Sequence, residues 1–176
     1  MKTLLLSSLI LLVWEFQNFN VTESYPGIQK GKSSADLSGT YEYIYPYNSA
    51  DLIENQYIVL IQNKTGYSGW YYGTSDEFDS AREGYLPAFF VTEMLNLKIS
   101  NDTITFKLAI SDNDLLIEPV TLKLRSTEEA IKAGYSKWSN KINPTPKEYW
   151  GLIINSNQIS LKGADEFQNK AFNKKK

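Results

Sequence analysis

The strongest constraint on the fold is an alternation of apolar and polar residues with a period of two, which is clearest over residues 94–108. Side chains of a β-strand point alternately to opposite faces, so this pattern predicts strands with one buried face. Within the stretch MLNLKISNDTITFKL, the dipeptide Asn101-Asp102 predicts a tight turn. A two-residue loop there predicts one shared face for three pairs, Leu95 with Leu108, Leu97 with Phe106 and Ile99 with Ile104.

A second hairpin is predicted near the end of the chain, across a Ser156-Asn157 turn. Its expected pairs are Leu152 with Leu161 and Ile154 with Ile159. Further strands are predicted at 39–47, 55–62, 66–73, 86–92 and 115–124. Seven or eight short antiparallel strands are typical of a small β-barrel or a β-sandwich.

One helix interrupts this series of strands. Ser126 and Glu129 have the spacing of a capping box at a helix start. Behind them Ile131, Tyr135 and Trp138 form one apolar stripe, and the helix is expected to end near residues 140–144.

The segment Leu37-Ser38-Gly39-Thr40-Tyr41 resembles the opening strand of lipocalin-like barrels, in which a Gly-x-Trp often stands. Tyr41 takes the place of that tryptophan in this chain. The resemblance implies a barrel in preference to a sandwich.

The N-terminal residues MKTLLLSSLILLVW have the charge order and length of a secretory signal peptide. Their apolar run is shorter than the roughly 20 residues that a membrane-spanning helix needs. The sequence therefore predicts a secreted or periplasmic protein with no membrane span after processing. The expected organisation is a signal or short anchor at 1–24, a polar linker at 25–36, one β domain at 37–167 and a basic polar tail at 168–176.

The absence of histidine and cysteine excludes several classes of site. A chain without either residue has no Ser-His-Asp or Cys-His catalysis and no histidine- or cysteine-bound zinc. Its net charge of -2 disfavours a nucleic-acid partner. No cofactor, metal site or catalytic residue is predicted.

Aromatic residues supply the candidate binding site. In the segment TYEYIYPY four tyrosines alternate, so a strand would point them to one face, and Trp70 and Tyr72 share a face in GYSGWYYG. Such rings line ligand cavities or stack on sugars, although they also serve as ordinary strand residues. The leading hypothesis is a non-enzymatic protein that binds a small molecule or glycan. Its predicted ligand-binding residues are Tyr41, Tyr43, Tyr45, Tyr47, Trp70, Tyr72 and Arg82.

Two alternatives rest on the acidic stretch SDEFDSAREGY. Two of its carboxylates could act as acid and base in a glycan hydrolase. The stretch could instead face a cationic protein partner, as in an inhibitor or immunity-type protein. Arg82 is predicted at the rim of the aromatic site, as a planar bidentate donor that serves either the structure or an anionic ligand. The carboxylates concerned are Asp76, Glu77, Asp79 and Glu83.

Overall fold

The computed structural model describes residues 36–79, 84–138, 146–163 and 169–176, with side chains except at 75–79 and 84–87. Nine antiparallel strands form one sheet in this part of the chain. The strands are β1 (Gly39–Tyr43), β2 (Gln56–Asn63), β3 (Gly66–Asp79), β4 (Gly84–Glu93), β5 (Leu95–Ser100), β6 (Thr103–Leu108), β7 (Lys147–Asn155), β8 (Gln158–Gly163) and β9 (Lys170–Lys174). A short helix α1 (Thr127–Lys132) and a 3-10 turn (Asp112–Asp114) lie between β6 and β7.

The strand order is β4-β3-β2-β1-β9-β8-β7-β6-β5, so the first and last strands of the sheet are neighbours in the sequence. Only Met94 separates β4 from β5, and its backbone N donates to the carbonyl of Gly69 on β3 at 2.8 Å. The sheet therefore returns almost onto itself as a nearly closed barrel. This confirms the predicted small β-barrel, with nine strands instead of seven or eight.

The two ends of the barrel differ in their connections. At one end, here called the turn end, the strands are joined by two-residue turns at 64–65, 101–102 and 156–157. At the other end, here called the loop end, the connections 44–55, 109–146 and 164–169 are longer. Because the sheet is a meander of alternating strand directions, all long connections reach the same end.

The barrel interior is packed with apolar side chains. Alternate residues of each strand point inward and form one cluster with residues from the β6–β7 connection. Members that are almost fully buried are Tyr41, Ile58, Leu60, Tyr71, Ile104, Leu108, Leu115, Ile159, Leu161 and Phe172. Burial of apolar surface at about 25 cal/mol per Å² makes this cluster the main source of stability.

The β6–β7 connection covers the outer face of β2–β4. Val59, Tyr72 and Val91 of the sheet pack there against Leu116, Val120 and Ala130 of the connection. The predicted strand at 115–124 is not formed; Leu116 makes only isolated bridges with Phe89 and Lys137. Leu115 belongs to the interior cluster and Leu116 to the outer one, so this segment is buried on both sides without joining the sheet.

Helix α1 is shorter than predicted. Ser126 caps it as expected, since its side chain accepts from the backbone N of Glu129 at 3.2 Å. The helix ends at Lys132 because Gly134 adopts a φ of 101°, a left-handed conformation typical of helix ends. Ile131 is exposed, whereas Tyr135 and Trp138 pack beyond the helix.

Both predicted hairpins form, but bulges change their pairing. In the first, Ile99 pairs with Ile104 as expected, while Leu95 lies opposite Lys107 and is exposed. The irregularity contains Asn96, whose φ of 54° is left-handed. A bulge of one residue shifts every later pair, so Leu95 leaves the predicted face.

In the second hairpin the bulge lies between Ile153 and Asn155. Ile153 then pairs with Ile159 and is buried, whereas the predicted members Leu152 and Ile154 point outward and are exposed. The predicted pairing was therefore wrong by one residue. This shift leaves an apolar row on the outside of β7.

The interval that was expected to be a basic tail contains strand β9. Phe172 is fully buried, and β9 pairs with both β1 and β8. The sequence KAFNK has the alternation of a strand, with Lys170, Phe172 and Lys174 on one face.

Candidate functional site

A polar cluster faces inward at the loop end of the barrel. Gln56 is only 6% exposed, and its Oε1 accepts from the Tyr71 hydroxyl at 2.6 Å and from Lys170 Nζ at 3.2 Å. Lys170 Nζ also lies 5.8 Å from the ring centroid of Tyr43, a cation–π contact. An ammonium group is thus held inside the rim of an otherwise apolar barrel. These four residues, Tyr43, Gln56, Tyr71 and Lys170, are called the rim cluster below.

Aromatic rings form a floor next to the rim cluster. Tyr71 lies at the centre, with its ring centroid 5.4 to 6.2 Å from those of Phe90, Phe106, Tyr149 and Phe172. Phe106 and Tyr149 stack at 5.1 Å with nearly parallel planes. The rings come from five different strands, so barrel closure is what brings them together. These rings are packed against one another and almost fully buried, so the floor is a solid apolar layer beneath a positive charge.

Trp138 contributes a further donor near this interior. Its side chain packs against the interior cluster, and its backbone N donates to the Leu115 carbonyl at 2.9 Å. Its indole Nε1 is buried without a hydrogen-bond acceptor among the described residues. A buried donor left without an acceptor costs about 1–3 kcal/mol, which makes it a natural place for a ligand acceptor or a bound water.

The predicted tyrosine row divides between the two ends of the barrel. Tyr41 lies at the turn end, where its hydroxyl is 3.0 Å from the carbonyls of Leu37 and Ser156. Burial, together with nearby Tyr67 and Asp36, raises the pKa of Tyr41 to about 12. The Tyr41 side chain is therefore part of the barrel's structural interior.

The other three tyrosines lie towards the loop end. Tyr43 is half-buried and belongs to the rim cluster, 5.8 Å from Phe172. Tyr45 and Tyr47 lie beyond the end of β1 and contact each other edge to face at 5.6 Å. Tyr47 is 79% exposed. Tyr43 is thus the member of the row that the structure brings to an inward-facing polar site.

Trp70 and Tyr72 share one face of β3, as predicted, but it is the outer face, opposite to the interior that Tyr41 and Tyr43 face, and Arg125 holds them there. The Arg125 guanidinium lies 4.8 Å from the Trp70 ring centroid and donates to the Tyr72 hydroxyl at 2.6 Å. That hydroxyl in turn donates to the Leu124 carbonyl at 2.7 Å. Burial raises the pKa of Tyr72, although Arg125 opposes the shift. The arrangement fastens the β6–β7 connection to the sheet, and a ligand-binding role for these two residues stays a prediction.

Arg82 and Glu83 lie outside the described residues, and so do the side chains of Asp76, Glu77 and Asp79. Along the backbone, the last three positions belong to strand β3, which extends to Asp79, instead of to a connecting loop. The roles proposed for Arg82 and for these carboxylates therefore stay predictions.

A second polar group lies on the outer side of β1, next to the C-terminus. Glu42 accepts from Asn55 at 3.1 Å and pairs with Lys175, whose Nζ lies 3.3 Å from its carboxylate. Burial raises the pKa of Glu42, but hydrogen bonds from Tyr57 and Lys175 outweigh it, so the pKa lies below its ordinary value. Burial and the bond to Glu42 raise the pKa of Tyr57. This group fastens the chain end to the barrel.

No cluster of three or more potential metal ligands occurs in the part of the chain that the structure describes. Within the same residues, no helix has the length and apolar character needed to cross a membrane. No family model matches the chain, and neither the curated proteins nor the solved structures contain a significant match. The fold and the site define a nearly closed antiparallel β-barrel with an inward-facing cation at its loop end.

Sequence reasoning missed most of the residues at this site, among them Lys170, Phe172, Tyr149 and Gln56. Lys170 and Phe172 carry the period-two signal of β9, which could have been found in KAFNK. Tyr149 alternates with Gly151 and Ile153 on the inner face of β7, a pattern hidden by the more apolar outer row. Gln56 carries no signal of its own, because its partners come from strands distant in the sequence.

Proposed function

We propose that this chain is an exported, non-enzymatic binding protein that holds a small anionic ligand with an apolar body at the loop end of the barrel. The observation that carries the proposal is the inward-facing ammonium of Lys170, held by Gln56 beside the aromatic floor. The proposal keeps the hypothesis of a small ligand bound beside aromatic residues of the strands, and it assigns the binding site to the rim cluster. The mouths of β-barrels are common places for such sites.

The chemistry of the cluster favours an anion over a neutral ligand. Lys170 supplies a positive charge, and in a partly desolvated rim an opposite charge within about 4 Å interacts far more strongly than it does in water. The Trp138 indole adds a buried donor. The half-buried ring of Tyr43, which lies beside the ammonium, offers stacking surface for the apolar part of the ligand. A positive charge next to an accessible ring suits a molecule with one carboxylate or sulfonate and a flat apolar body.

The proposal is tested with 8-anilinonaphthalene-1-sulfonate, an anionic aromatic dye whose fluorescence rises in apolar sites. We expect saturable binding to the parent chain. In Lys170→Met the dissociation constant is expected to rise at least tenfold, which corresponds to a loss of about 1.4 kcal/mol of binding free energy. Lys170→Arg keeps the charge and is expected to restore most of the affinity. The measurement is a fluorescence titration at constant salt.

Lys64→Met is the matched control. Lys64 is an exposed lysine in the β2–β3 turn at the opposite end of the barrel, so its removal changes the net charge equally. Thermal unfolding of each variant verifies that it is folded. Equal dye affinity in folded Lys170→Met and Lys64→Met would contradict the proposal.

A further inference from the structure

Among the described residues, the outer wall of the barrel is covered on one side only. The β6–β7 connection packs on the outside of β2–β4. On the outside of β7, three apolar side chains alternate along the strand, and no described segment packs over them. Trp150 is 49% exposed, Leu152 45% and Ile154 54%. Contiguous exposed apolar side chains of this kind mark interaction surfaces more often than scattered ones do.

The row is bordered by positive charge although the whole chain is acidic. On the same outer face, Lys107 lies on the adjacent strand β6, Lys162 on the adjacent strand β8 opposite Trp150, and Lys98 on β5 beyond β6. The acidic residue among them is Glu148, which pairs with Lys107. The face therefore has a local excess of two positive charges in a chain whose formal net charge is -2. An open groove of about 580 Å³ lies beside Trp150, between Lys98 and Glu148.

From this face we propose a second binding site: the outer surface of β7 docks an acidic amphipathic helix of a partner protein. The side chains of Trp150, Leu152 and Ile154 would take the apolar stripe of the helix, and Lys98 and Lys162 would face its carboxylates. The four residue steps from Trp150 to Ile154 span about 13 Å, which matches between two and three turns of helix. Complementary charge then sets the orientation and speeds encounter.

The geometry of β7 disfavours other ways of binding a partner. β7 is hydrogen-bonded to β6 on one side and to β8 on the other, so it has no free edge to accept an added strand. Docking must therefore use side chains. A second copy of the same face would set lysines against lysines. A glycan would find one stacking ring, whereas Leu152 and Ile154 offer neither a ring nor a hydrogen-bond donor.

The test uses two labelled synthetic helices of about three turns with the same leucine stripe, one flanked by glutamates and the other by lysines. Fluorescence anisotropy with the full chain is expected to show binding of the glutamate peptide only. Affinity is expected to fall at least tenfold in Leu152→Asp and in the double variant Lys98→Glu/Lys162→Glu. It is also expected to fall when salt rises from about 0.05 to about 0.5 M, because exposed charges are then screened.

Ile61→Asp is the control for the introduced charge. Ile61 is 43% exposed on the outer face of β2, so the substitution is chemically equal but lies away from the row. No binding of the glutamate peptide, equal binding of both peptides, or equal losses in Ile61→Asp and Leu152→Asp would each overturn the proposal. Binding of the chain to phosphatidylglycerol vesicles that Leu152→Asp abolishes, without peptide binding, would assign the face to a lipid surface instead.

This site is independent of the rim cluster. Dye binding at Lys170 and peptide binding at Leu152 are measured with different probes and different variants. The failure of one proposal therefore leaves the other intact.

Discussion

At the scale of single residues, the tyrosines of β1 show how position along one strand separates structure from function. Tyr41 and Tyr43 share the inner face, yet Tyr41 is buried at the turn end and Tyr43 contacts Lys170 at the loop end. The sequence predicted the shared face from alternation alone. It could not predict the partners, because Gln56, Lys170 and Tyr71 meet only after β1, β2, β3 and β9 have paired.

Tyr41→Phe is predicted to lower the free energy of unfolding at neutral pH by about 1–2 kcal/mol. The reason is the loss of a buried hydroxyl that lies 3.0 Å from each of two carbonyls. The measurement is urea unfolding of both chains, with the slope of the transition compared to confirm that the same surface is exposed.

The same pair of chains tests the pKa of Tyr41, which is raised to about 12. A raised pKa means that the neutral hydroxyl stabilises the fold below about pH 10, the ordinary value, and that this contribution is lost as pH rises towards 12. The stability gap between parent and Tyr41→Phe is therefore expected to be widest below pH 10 and to narrow above it. The slope of the narrowing is at most about 1.4 kcal/mol per pH unit. A constant gap from pH 8 to about pH 12 would show that Tyr41 titrates normally.

At the scale of elements, the close approach of neighbouring chain segments explains why two positions are occupied by glycine. A Cβ on Gly151 would meet the backbone oxygen of Ser160 on the paired strand β8. A Cβ on Gly69 would lie 2.6 Å from Met94 Sδ and 3.1 Å from side-chain atoms of Leu60 and Leu97. Flexible side chains can shift, whereas a hydrogen-bonded strand backbone cannot do so without disturbing its neighbours.

Gly69→Ala is predicted to destabilise the barrel by about 1–3 kcal/mol, and Gly151→Ala by more. The physical reason is that the obstacle at Gly69 is a methionine side chain and the one at Gly151 is backbone. Thermal and urea unfolding measure the loss of stability in both variants. In a Met94→Ala background the cost of Gly69→Ala is expected to shrink, since the two sites are in contact. The reverse order of the two costs would contradict this account of the contacts at Gly69 and Gly151.

The two hairpins show that the sequence predicts the location of strands but not their exact register. Alternation and turn residues located β5, β6, β7 and β8 correctly, because both signals are local. The bulges at 95–98 and 153–155 depend on how the strands twist against their neighbours, and one extra residue moved Leu95, Leu152 and Ile154 outward. Residues 115–124 of the β6–β7 connection resemble a strand in sequence, but only isolated bridges form there. Tertiary packing on two sides replaced sheet pairing there.

At the scale of the whole molecule, β9 joins the halves of the barrel. It lies between β1 and β8, and it contributes Phe172 to the interior and Lys170 to the rim cluster. Composition alone marked this interval as a basic tail, because lysines dominate it. The number and regularity of short strands predicted a barrel or a sandwich, and the resemblance of residues 37–41 to lipocalin-like barrels favoured the barrel. The division into a turn end and a loop end required the complete strand order.

A chain that ends at Gly163 is predicted to lose cooperative unfolding, because β1 and β8 become unpaired edges and the space of Phe172 is left empty. A chain that ends at Lys174 is the control. It keeps β9 and loses the contacts of Lys175 with Thr40 and Glu42, which are worth about 1–2 kcal/mol. Circular dichroism with thermal melting compares the two. A cooperative transition in the shorter chain would show that β9 is dispensable.

The central claim is that the loop end of the barrel binds an anion through Lys170. The most direct measurement is a crystal structure of the chain with 8-anilinonaphthalene-1-sulfonate. We expect the sulfonate within about 3–4 Å of Lys170 Nζ and the naphthalene rings against the half-buried ring of Tyr43. Dye seated only on the outer row of Trp150, Leu152 and Ile154, with the rim cluster unchanged, would contradict the claim.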